Sequence, residues 1–417
     1  MRFRTKLLIV LTIFLGFNGI SKSQTPSSSS EDQTVDVFLD CRRCSETYIR
    51  NELTYINYVR NKEDAELHLL ITRQSTGSGG FEYTMRFIGS REYEGQDNTY
   101  RYISSASDTQ EERQQGLVNR IGLGLVPYLS SMPVIKQMEI RYEPREERTS
   151  PSALADDWNY WVFEVYAYTS LRGEQSQNQF FLSTGADADR ISEELKIRLN
   201  YDWDYDRRSF DRDDSTDIFI TRGQELDGTV VQSLSDHWSV GIFAEANRST
   251  RNNIELGVYG SPAVEYNLFP YREYAQREFS IMYSLAPNYY EYQEETIYGK
   301  MHETLVRQRL RTNVQINQPW GEFEGRLDAT TFLHDFTKNR FEVDLELDVR
   351  IFRGLSFNVN SRYAIIHDQL YIPKGDISDA EQLLNLRQQS TSYSYRVSMG
   401  IAYSFGSIYN NIVNPRF

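Results

Sequence analysis

The two cysteines of the chain, Cys41 and Cys44, are separated by two residues and lie between a predicted strand and a predicted helix. Such a pair can act as a redox centre, because the start of a helix lowers the pKa of a thiol. It can also form a structural disulfide, or bind zinc together with His68, the single histidine in this part of the chain. These three interpretations differ in the compartment and the neighbouring residues that they require.

The position of the Cys-x-x-Cys pair resembles that of thioredoxin-like redox modules, which also place a cis-proline opposite the cysteines. This chain has no proline between Pro26 and Pro127. The secretion signal described below implies an oxidising compartment, where two lone cysteines form a disulfide. We therefore expect a disulfide between Cys41 and Cys44, and no metal site or cofactor.

Charged residues at alternate positions form the second group of candidates. Alternate residues of a strand share one face, so these side chains predict a charged surface shared by neighbouring strands. It could be an ion-pair network that fills the interior and fixes strand register, or a selective path for a solute or ion. The set consists of Arg307, Arg309, Arg311, Glu322, Glu324, Asp328, Glu342, Asp344, Glu346 and Asp348.

Three histidines close to predicted strand ends are the remaining candidates for chemistry: His302, His334 beside Asp335, and His367 beside Asp368. His-Asp pairs resemble the outer-rim residues of omptin-type proteases and of outer-membrane phospholipases and lipid A deacylases. Strand parity, however, places His334 on one face and His302 and His367 on the other. The chain also lacks Gly-x-Ser-x-Gly, His-Glu-x-x-His and phosphate-loop spacing. We predict no catalytic residues and no enzymatic activity.

Composition narrows the class of partner. The 417 residues include 59 acidic and 45 basic side chains, a formal net charge of -14, which argues against binding to nucleic acid. The apolar share of 39% is sufficient for folded domains, and 29 tyrosines and 22 phenylalanines make the chain unusually aromatic. A fold that uses many exposed aromatic residues would explain this surplus.

The amino terminus predicts secretion. Basic residues at positions 1–6, an apolar run over 7–17 and small residues at 21–23 are typical of a signal peptide, which we assign to residues 1–23. A polar, serine-rich leader over 24–34 follows. A second break at 144–157 combines charge, prolines and small residues as linkers do. These breaks predict a domain over 35–143 and another over 158–417.

The first domain is predicted to have the order βαβββα. Its helices are expected at Glu46–Asn61 and Thr109–Leu129, and a Gly/Ser-rich hairpin loop at 75–80 joins two of its strands. This arrangement resembles the amino-terminal domain of TolB and related periplasmic adaptor modules. The resemblance covers about a quarter of the chain and implies a role in binding a protein partner.

The second domain alternates apolar and charged residues over most of its length. Such alternation, with aromatic residues at the ends of the apolar face, is typical of membrane β-barrel strands. We count about twelve candidate strands and predict a mostly β protein, in which an up-and-down transmembrane barrel follows the small α+β domain. The predicted membrane-facing residues include Leu195, Ile197, Leu199, Tyr201, Trp203, Leu345, Leu347, Val349, Val397, Met399 and Ile401.

Connection lengths predict the orientation of the barrel. Short turns at 235–237, 317–320 and 353–354 alternate with longer predicted loops at 206–216, 290–302 and 368–391. Short turns belong on the periplasmic side, so the first domain should lie in the periplasm and the loops outside. The last loop begins a predicted short helix at Ser378, which would be a lid, a docking face or a segment packed on the rim.

The final strand, which alternates from Tyr393 to Phe405, and the terminal Phe417 resemble the carboxy-terminal signature of outer-membrane barrels. The sequence thus predicts a protein of the bacterial outer membrane, in contact with its lipid. The leading hypothesis is a barrel that anchors a periplasmic domain, which binds an envelope partner. The alternatives are a solute pore or transporter gated by that domain, and an outer-leaflet hydrolase.

Overall fold

A computed structural model describes residues 34–138 except 78, residues 158–375 except 213–214, and residues 389–407. The predicted signal peptide, the linker, the helix starting at Ser378 and the terminal Phe417 lie outside the described residues. Within the described residues, no helix is both long enough and apolar enough to span a bilayer.

The small domain contains a five-stranded mixed sheet with the strand order β2-β1-β3-β4-β5. β1 pairs in parallel with β2 and β3, whereas the β3–β4 and β4–β5 pairs are antiparallel. Its strands and helices are β1 (Asp36–Cys41), α1 (Glu46–Glu52), β2 (Asn57–Tyr58), β3 (Leu67–Ser75), β4 (Phe81–Gly89), β5 (Asn98–Ser104) and α2 (Gln110–Leu129).

One face of this sheet forms the main hydrophobic core with the two helices. Val37, Leu67 and Met85 from the strands are fully buried, as are Ile121 and Leu125 from α2. The helix α2 begins with a capping box, in which the Thr109 side chain accepts from the Glu112 N–H and the Glu112 carboxylate accepts from the Thr109 N–H. The packing and the cap together fix α2 on the sheet.

The first helix is shorter than the predicted span Glu46–Asn61. It ends at Glu52, where the Leu53 N–H still bonds to the Ile49 carbonyl before the backbone leaves the helical region. Residues 57 and 58 then pair with Asp36 and Val37 as the short strand β2, so the domain has the order βαββββα instead of the predicted βαβββα. The apolar spacing suits a helix as well as a strand, and pairing with the buried β1 decides between them.

Twelve strands of the second domain form one antiparallel meander, in which each strand pairs with its neighbours in sequence. They are β6 (Trp161–Glu174), β7 (Gln177–Ile191), β8 (Leu195–Arg212), β9 (Ser215–Ser233), β10 (Trp238–Ser249), β11 (Ile254–Asn267), β12 (Arg277–Tyr292), β13 (His302–Gln318), β14 (Gly321–Phe332), β15 (Asp335–Phe352), β16 (Leu355–Ile366) and β17 (Tyr393–Tyr403).

The meander curls around one charged face, which we call the lumen. A single cavity is lined by β8 and also by β17, which are far apart in strand order. Among the described residues, no ladder of hydrogen bonds joins the two edge strands β6 and β17. Their outward side chains are correspondingly the most exposed of the sheet, with Val165 at 83% and Ile401 at 74%.

The opposite face of the meander carries an apolar band. Cross-strand register aligns Phe323, Leu347, Val359 and Met399 on four consecutive strands. Of the residues predicted to face lipid, the most exposed are Leu199, Tyr201, Leu345, Val397, Met399 and Ile401. Aromatic residues sit near the strand ends of this face, as in the stacked pair Tyr393 and Tyr395. This distribution is that of a sheet whose outer face is solvated by lipid.

The two ends of the meander differ. We call the end that holds the connections 192–194, 234–237, 268–276, 319–320 and 353–354 the domain end, because the small domain contacts it, and the opposite end the loop end. The prediction of a long loop at 206–216 is wrong. The strands β8 and β9 continue pairing up to Arg212 and Ser215, since alternation persists through Phe210 and Ile218.

Candidate functional site at the domain end of the barrel

The second face of the small sheet lies against the domain end of the meander. Phe38 and Asp40 of β1 and His68 and Leu70 of β3 point away from the helices, and all four are buried. Successive residues of a strand alternate between faces, so the same strands supply both the helical core and this contact. The sheet is therefore held between its own helices and the barrel.

Asp40 is the centre of the contact. Its carboxylate accepts hydrogen bonds from two guanidinium nitrogens of Arg350, at 2.6 and 2.7 Å, and lies 3.0 Å from His68 Nε2. The Arg350 guanidinium also lies over the Phe38 ring, 5.2 Å from its centroid. Burial alone would raise the pKa of Asp40, but hydrogen bonds from His68 and Arg350 outweigh it and lower that pKa to about 2.

Arg42 makes a second charged contact from the loop that follows β1. Its Nη1 lies 2.8 Å from a Glu322 oxygen and 2.7 Å from an Asp348 oxygen, on β14 and β15. Cys41 and Cys44 are joined by a disulfide, so the bridge closes around Arg42 and Arg43. The cysteine pair thus restrains the loop that carries Arg42 to the barrel.

Two further contacts extend the interface. Arg353, in the β15–β16 turn, pairs with Asp64 at 3.0 Å. Gly77, in the β3–β4 hairpin, lies against Ile191 at the end of β7, where an added Cβ would come within 2.4 Å of the Ile191 side chain. This close approach requires glycine at position 77. The contacts together reach from β7 to the β15–β16 turn.

Within the lumen, the predicted charged residues are close to partners. Arg309 Nε donates to both Asp328 oxygens at 2.8 and 2.9 Å, and Arg311 Nε donates to the same carboxylate at 3.0 Å. Asp328 is buried, so this double contact compensates the desolvation of its charge. Arg307 lies over the Tyr259 ring, 5.0 Å from its centroid.

The other predicted lumen residues are paired with, or lie close to, residues that the alternation of the strands does not identify. Glu342 pairs with Arg340, which also binds Asp368 at 3.0 Å, and Asp344 pairs with Arg362. Arg340 and Arg350 lie at even-numbered positions of β15 and therefore share a face with Glu342 and Asp344, but the predicted set does not include them. Glu322 and Asp348 bind Arg42, as described above, and Glu324 and Glu346 line the lumen cavity.

Gln308 tests the register of β13, because its polar side chain falls on the apolar face. It pairs with Leu285 across the strands and accepts a hydrogen bond from the Tyr283 hydroxyl at 3.0 Å. The neighbouring Tyr283 therefore satisfies the amide on the outer face. The inward assignment of Arg307, Arg309 and Arg311 agrees with this register.

The loop end is covered by two connections that contact each other. Thr296 forms a bridge with Pro373, and the Asn253 amide donates to the carbonyls of Glu294 and Tyr371 at 3.0 and 3.1 Å. Leu370, which belongs to the second of these connections, packs in a buried cluster with Leu305 and Phe332. These contacts place folded chain across the loop end of the lumen.

The acids beside two of the rim histidines are bound to other groups. His367 Nδ1 lies 3.3 Å from the Asn339 amide oxygen, whereas Asp368 is bound by Arg340. The Asp335 carboxylate accepts from the N–H and the hydroxyl of Thr337. Among the described residues, no hydrogen bond joins either acid to the histidine beside it.

One group of carboxylates has metal-ligand spacing among the described residues. Oxygens of Glu225, Asp227 and Glu245 lie within 4.8 Å of one another. Acidic groups of this kind are common in proteins that bind no ion, and hard cations require six or more oxygen ligands. We assign no metal to this group.

The strand order, the face alternation and the curled charged face define the class of the chain. It is mostly β, with a twelve-strand antiparallel meander of the outer-membrane barrel type after a small mixed α+β domain, as the sequence predicts. No known family profile and no curated protein matches the chain.

Two solved structures are similar to it. The NanC porin has 10% identity and a TM-score of 0.28, and the match covers 59% of this chain and 99% of that chain. The β domain of the Bordetella autotransporter BrkA has 12% identity and a TM-score of 0.24, and the match covers 59% and 98%.

Proposed function

We propose that this chain is a non-catalytic outer-membrane protein, in which the barrel anchors and orients the small domain and the domain binds an envelope protein. The observation that carries this proposal is the one-sided attachment of the domain. One sheet face is bound to the barrel through Asp40 and Arg350, and through Arg42 with Glu322 and Asp348. Among the described residues these contacts lie on the opposite side of the sheet from α2, so we expect α2 to be available to a partner.

The apolar outer band supports a location in the membrane, where it would contact lipid. The predicted signal peptide and the short connections of the domain end support a periplasmic position for the small domain. The domain's sheet and helices are compatible with the proposed resemblance to periplasmic adaptor modules. Under this proposal the domain end faces the periplasm.

The surface that remains free on the small domain includes two large exposed apolar side chains. Leu123 of α2 is 43% exposed on the helical side, and Ile103 of the edge strand β5 is 62% exposed at the rim of the opposite sheet face. Apolar residues that protrude from a charged helix surface are common in sites that bind proteins. They are therefore the residues to change in a test.

Purification of the full chain from its native outer membrane in mild detergent, followed by mass spectrometry, tests the proposal. We expect a stoichiometric protein partner that is lost in Leu123→Glu and retained in Gln96→Glu, a control that adds the same charge at an exposed residue of the β4–β5 connection, outside α2. A single pure species from wild-type cells, even after chemical cross-linking, would contradict the anchoring role.

A gated pore is the second candidate, because a cavity of about 1210 Å³ lies in the lumen behind the domain. Under this alternative, release of the domain opens the path. Planar-bilayer recordings distinguish the two candidates. Because the loop end is also covered, the double variant Arg350→Ala/Asn253→Ala is recorded beside wild type. Silence of both supports the anchor, whereas discrete conductance in the double variant supports the gated pore.

A further inference from the structure

The lumen cavity at the domain end has a charge opposite to that of the whole chain. Eight of its lining side chains are Arg or Lys and four are Asp or Glu, whereas the chain carries a net charge of -14. The lining comes from β8, from β12 to β17 and from the small domain. The basic groups therefore surround one space from several sides.

Five of the basic groups lack an ion-pair partner among the described residues. Arg43 and Arg73 reach the cavity from the small domain, and Lys196, Arg326 and Arg396 reach it from the barrel. Arg73 lies over the Phe81 ring, and Arg326 donates to the Asn313 amide oxygen at 3.3 Å, but neither contact neutralises a charge. The positive charges of the cavity thus exceed what its own carboxylates compensate.

The register of the last two strands adds to this excess. Arg362 and Arg396 are directly opposite each other on β16 and β17, and both line the cavity. Like charges at directly opposed positions destabilise a sheet. Asp344 pairs with Arg362, which leaves Arg396 beside it without an anion. An external anion at this position would relieve the repulsion.

We propose that the cavity binds an anion that carries two or more phosphate groups. Arginine presents a planar donor fork that matches phosphate oxygens, and such charge-assisted hydrogen bonds are among the strongest in proteins. An anion with several phosphate groups can contact more than one of the five basic side chains that lack an ion-pair partner. The volume of about 1210 Å³ accommodates a ligand large enough to span the domain and the barrel.

The test is a calorimetric titration of the detergent-purified full chain with inorganic tripolyphosphate at low salt. We expect one binding site whose affinity falls as sodium chloride is added. The double variant Lys196→Gln/Arg396→Gln should bind at least about tenfold more weakly, because two charge-assisted contacts are lost. Arg172→Gln, which removes a positive charge paired with Glu174 outside the cavity, should bind like wild type.

No binding by folded wild-type protein, or equal binding by wild type and the double variant, would overturn the proposal. Circular dichroism of each variant establishes that it is folded, and each single variant replaces the double variant if that fails to fold. Mixed micelles that contain a lipid with a bisphosphorylated headgroup identify the source of the phosphate. If the lipid competes with tripolyphosphate, the phosphate groups belong to a lipid headgroup. If tripolyphosphate binds and the lipid does not compete, the ligand is soluble.

Discussion

Both carboxylate oxygens of Asp40 are bound by the guanidinium of Arg350, with Oδ1 2.6 Å from Nη2 and Oδ2 2.7 Å from Nη1. These residues are 310 positions apart and belong to the small domain and to β15. A two-point contact of this kind fixes direction as well as distance. It therefore determines how the small sheet sits on the barrel.

Arg350→Ala should release the domain from the barrel. The substitution leaves the buried Asp40 carboxylate with His68 alone, and breaking a buried pair costs about 3 kcal/mol or more. We expect faster proteolysis of the small domain and a lower midpoint for its urea unfolding, with the barrel itself intact.

Arg353→Ala is the matched control, because its pair with Asp64 comes from the adjacent turn but its side chain is 54% exposed, against 29% for Arg350. An exposed ion pair contributes about 0–1 kcal/mol to the free energy of unfolding. Equal effects of the two substitutions would show that Asp40 is not the centre of the attachment.

The attachment should weaken in acid. Because the pKa of Asp40 is lowered from 3.8 to about 2 in the folded protein, the unfolded chain binds this proton more tightly. The stabilisation is present above 3.8 and is lost as the pH falls through about 2. The unfolding temperatures of wild type and Asp40→Asn, measured at several pH values, should differ by less and less as the pH falls through this window. A difference that does not change with pH would show that the Asp40 carboxylate does not stabilise the attachment.

Removal of the disulfide should loosen the Arg42 loop. The double variant Cys41→Ser/Cys44→Ser removes the restriction that the disulfide places on the unfolded chain. Because the closed loop is very short, we expect the free energy of unfolding to fall by about 2 kcal/mol. Urea unfolding of the variant should occur at lower denaturant, and wild type treated with a reductant should match it. If neither differs from oxidised wild type, the disulfide does not stabilise this loop.

Alternation in the sequence was sufficient to predict the strands and their faces. The inward Arg309 and Asp328 and the outward Leu345 and Met399 follow from parity alone, because a strand has a period of two. The same rule gives Arg350 its face but not its partner. Its partner lies in another domain, and no local pattern encodes a contact between residues 310 positions apart.

Local patterns were ambiguous where two structures fit the same residues. The spacing of Ile49, Leu53 and Ile56 suits a helix, but residues 57 and 58 gain more by pairing with β1. In the hairpin of β8 and β9 a loop is predicted where the strands continue. The polar residues around Asp211 favour a loop, but the backbone hydrogen bonds between the two strands extend through them. In both cases tertiary pairing overrides local preference.

Reversal of charge at Arg309 should destabilise the barrel. Arg309→Glu places a second carboxylate beside the buried Asp328, which Arg311 alone would then have to compensate. We expect thermal unfolding at a clearly lower temperature, with a cost of about 3–5 kcal/mol for the uncompensated charge. Arg172→Glu, at an exposed pair, is the control. Unchanged melting of Arg309→Glu would show that the lumen pairs do not support the fold.

Asn253 should hold the loop end closed. Its side chain donates to the carbonyls of Glu294 and Tyr371 and accepts from the Glu294 N–H at 2.8 Å, so one amide ties two connections together. Its backbone φ of 55° lies in the left-handed region, which asparagine tolerates better than alanine. Asn253→Ala should therefore detach both connections at a cost of about 2–3 kcal/mol, while the strands stay paired.

Limited proteolysis of the folded protein measures this opening. In Asn253→Ala, cleavage should become faster within 293–301 and 371–375 but not in the strands. Asn252→Ala is the control, since Asn252 is adjacent and its backbone N–H bonds to the Ser249 hydroxyl within the same turn. If both variants are cleaved as slowly as wild type, other contacts such as the Thr296–Pro373 bridge hold the loop end. If both are cleaved faster, the turn itself, rather than the Asn253 amide, is what keeps the two connections in place.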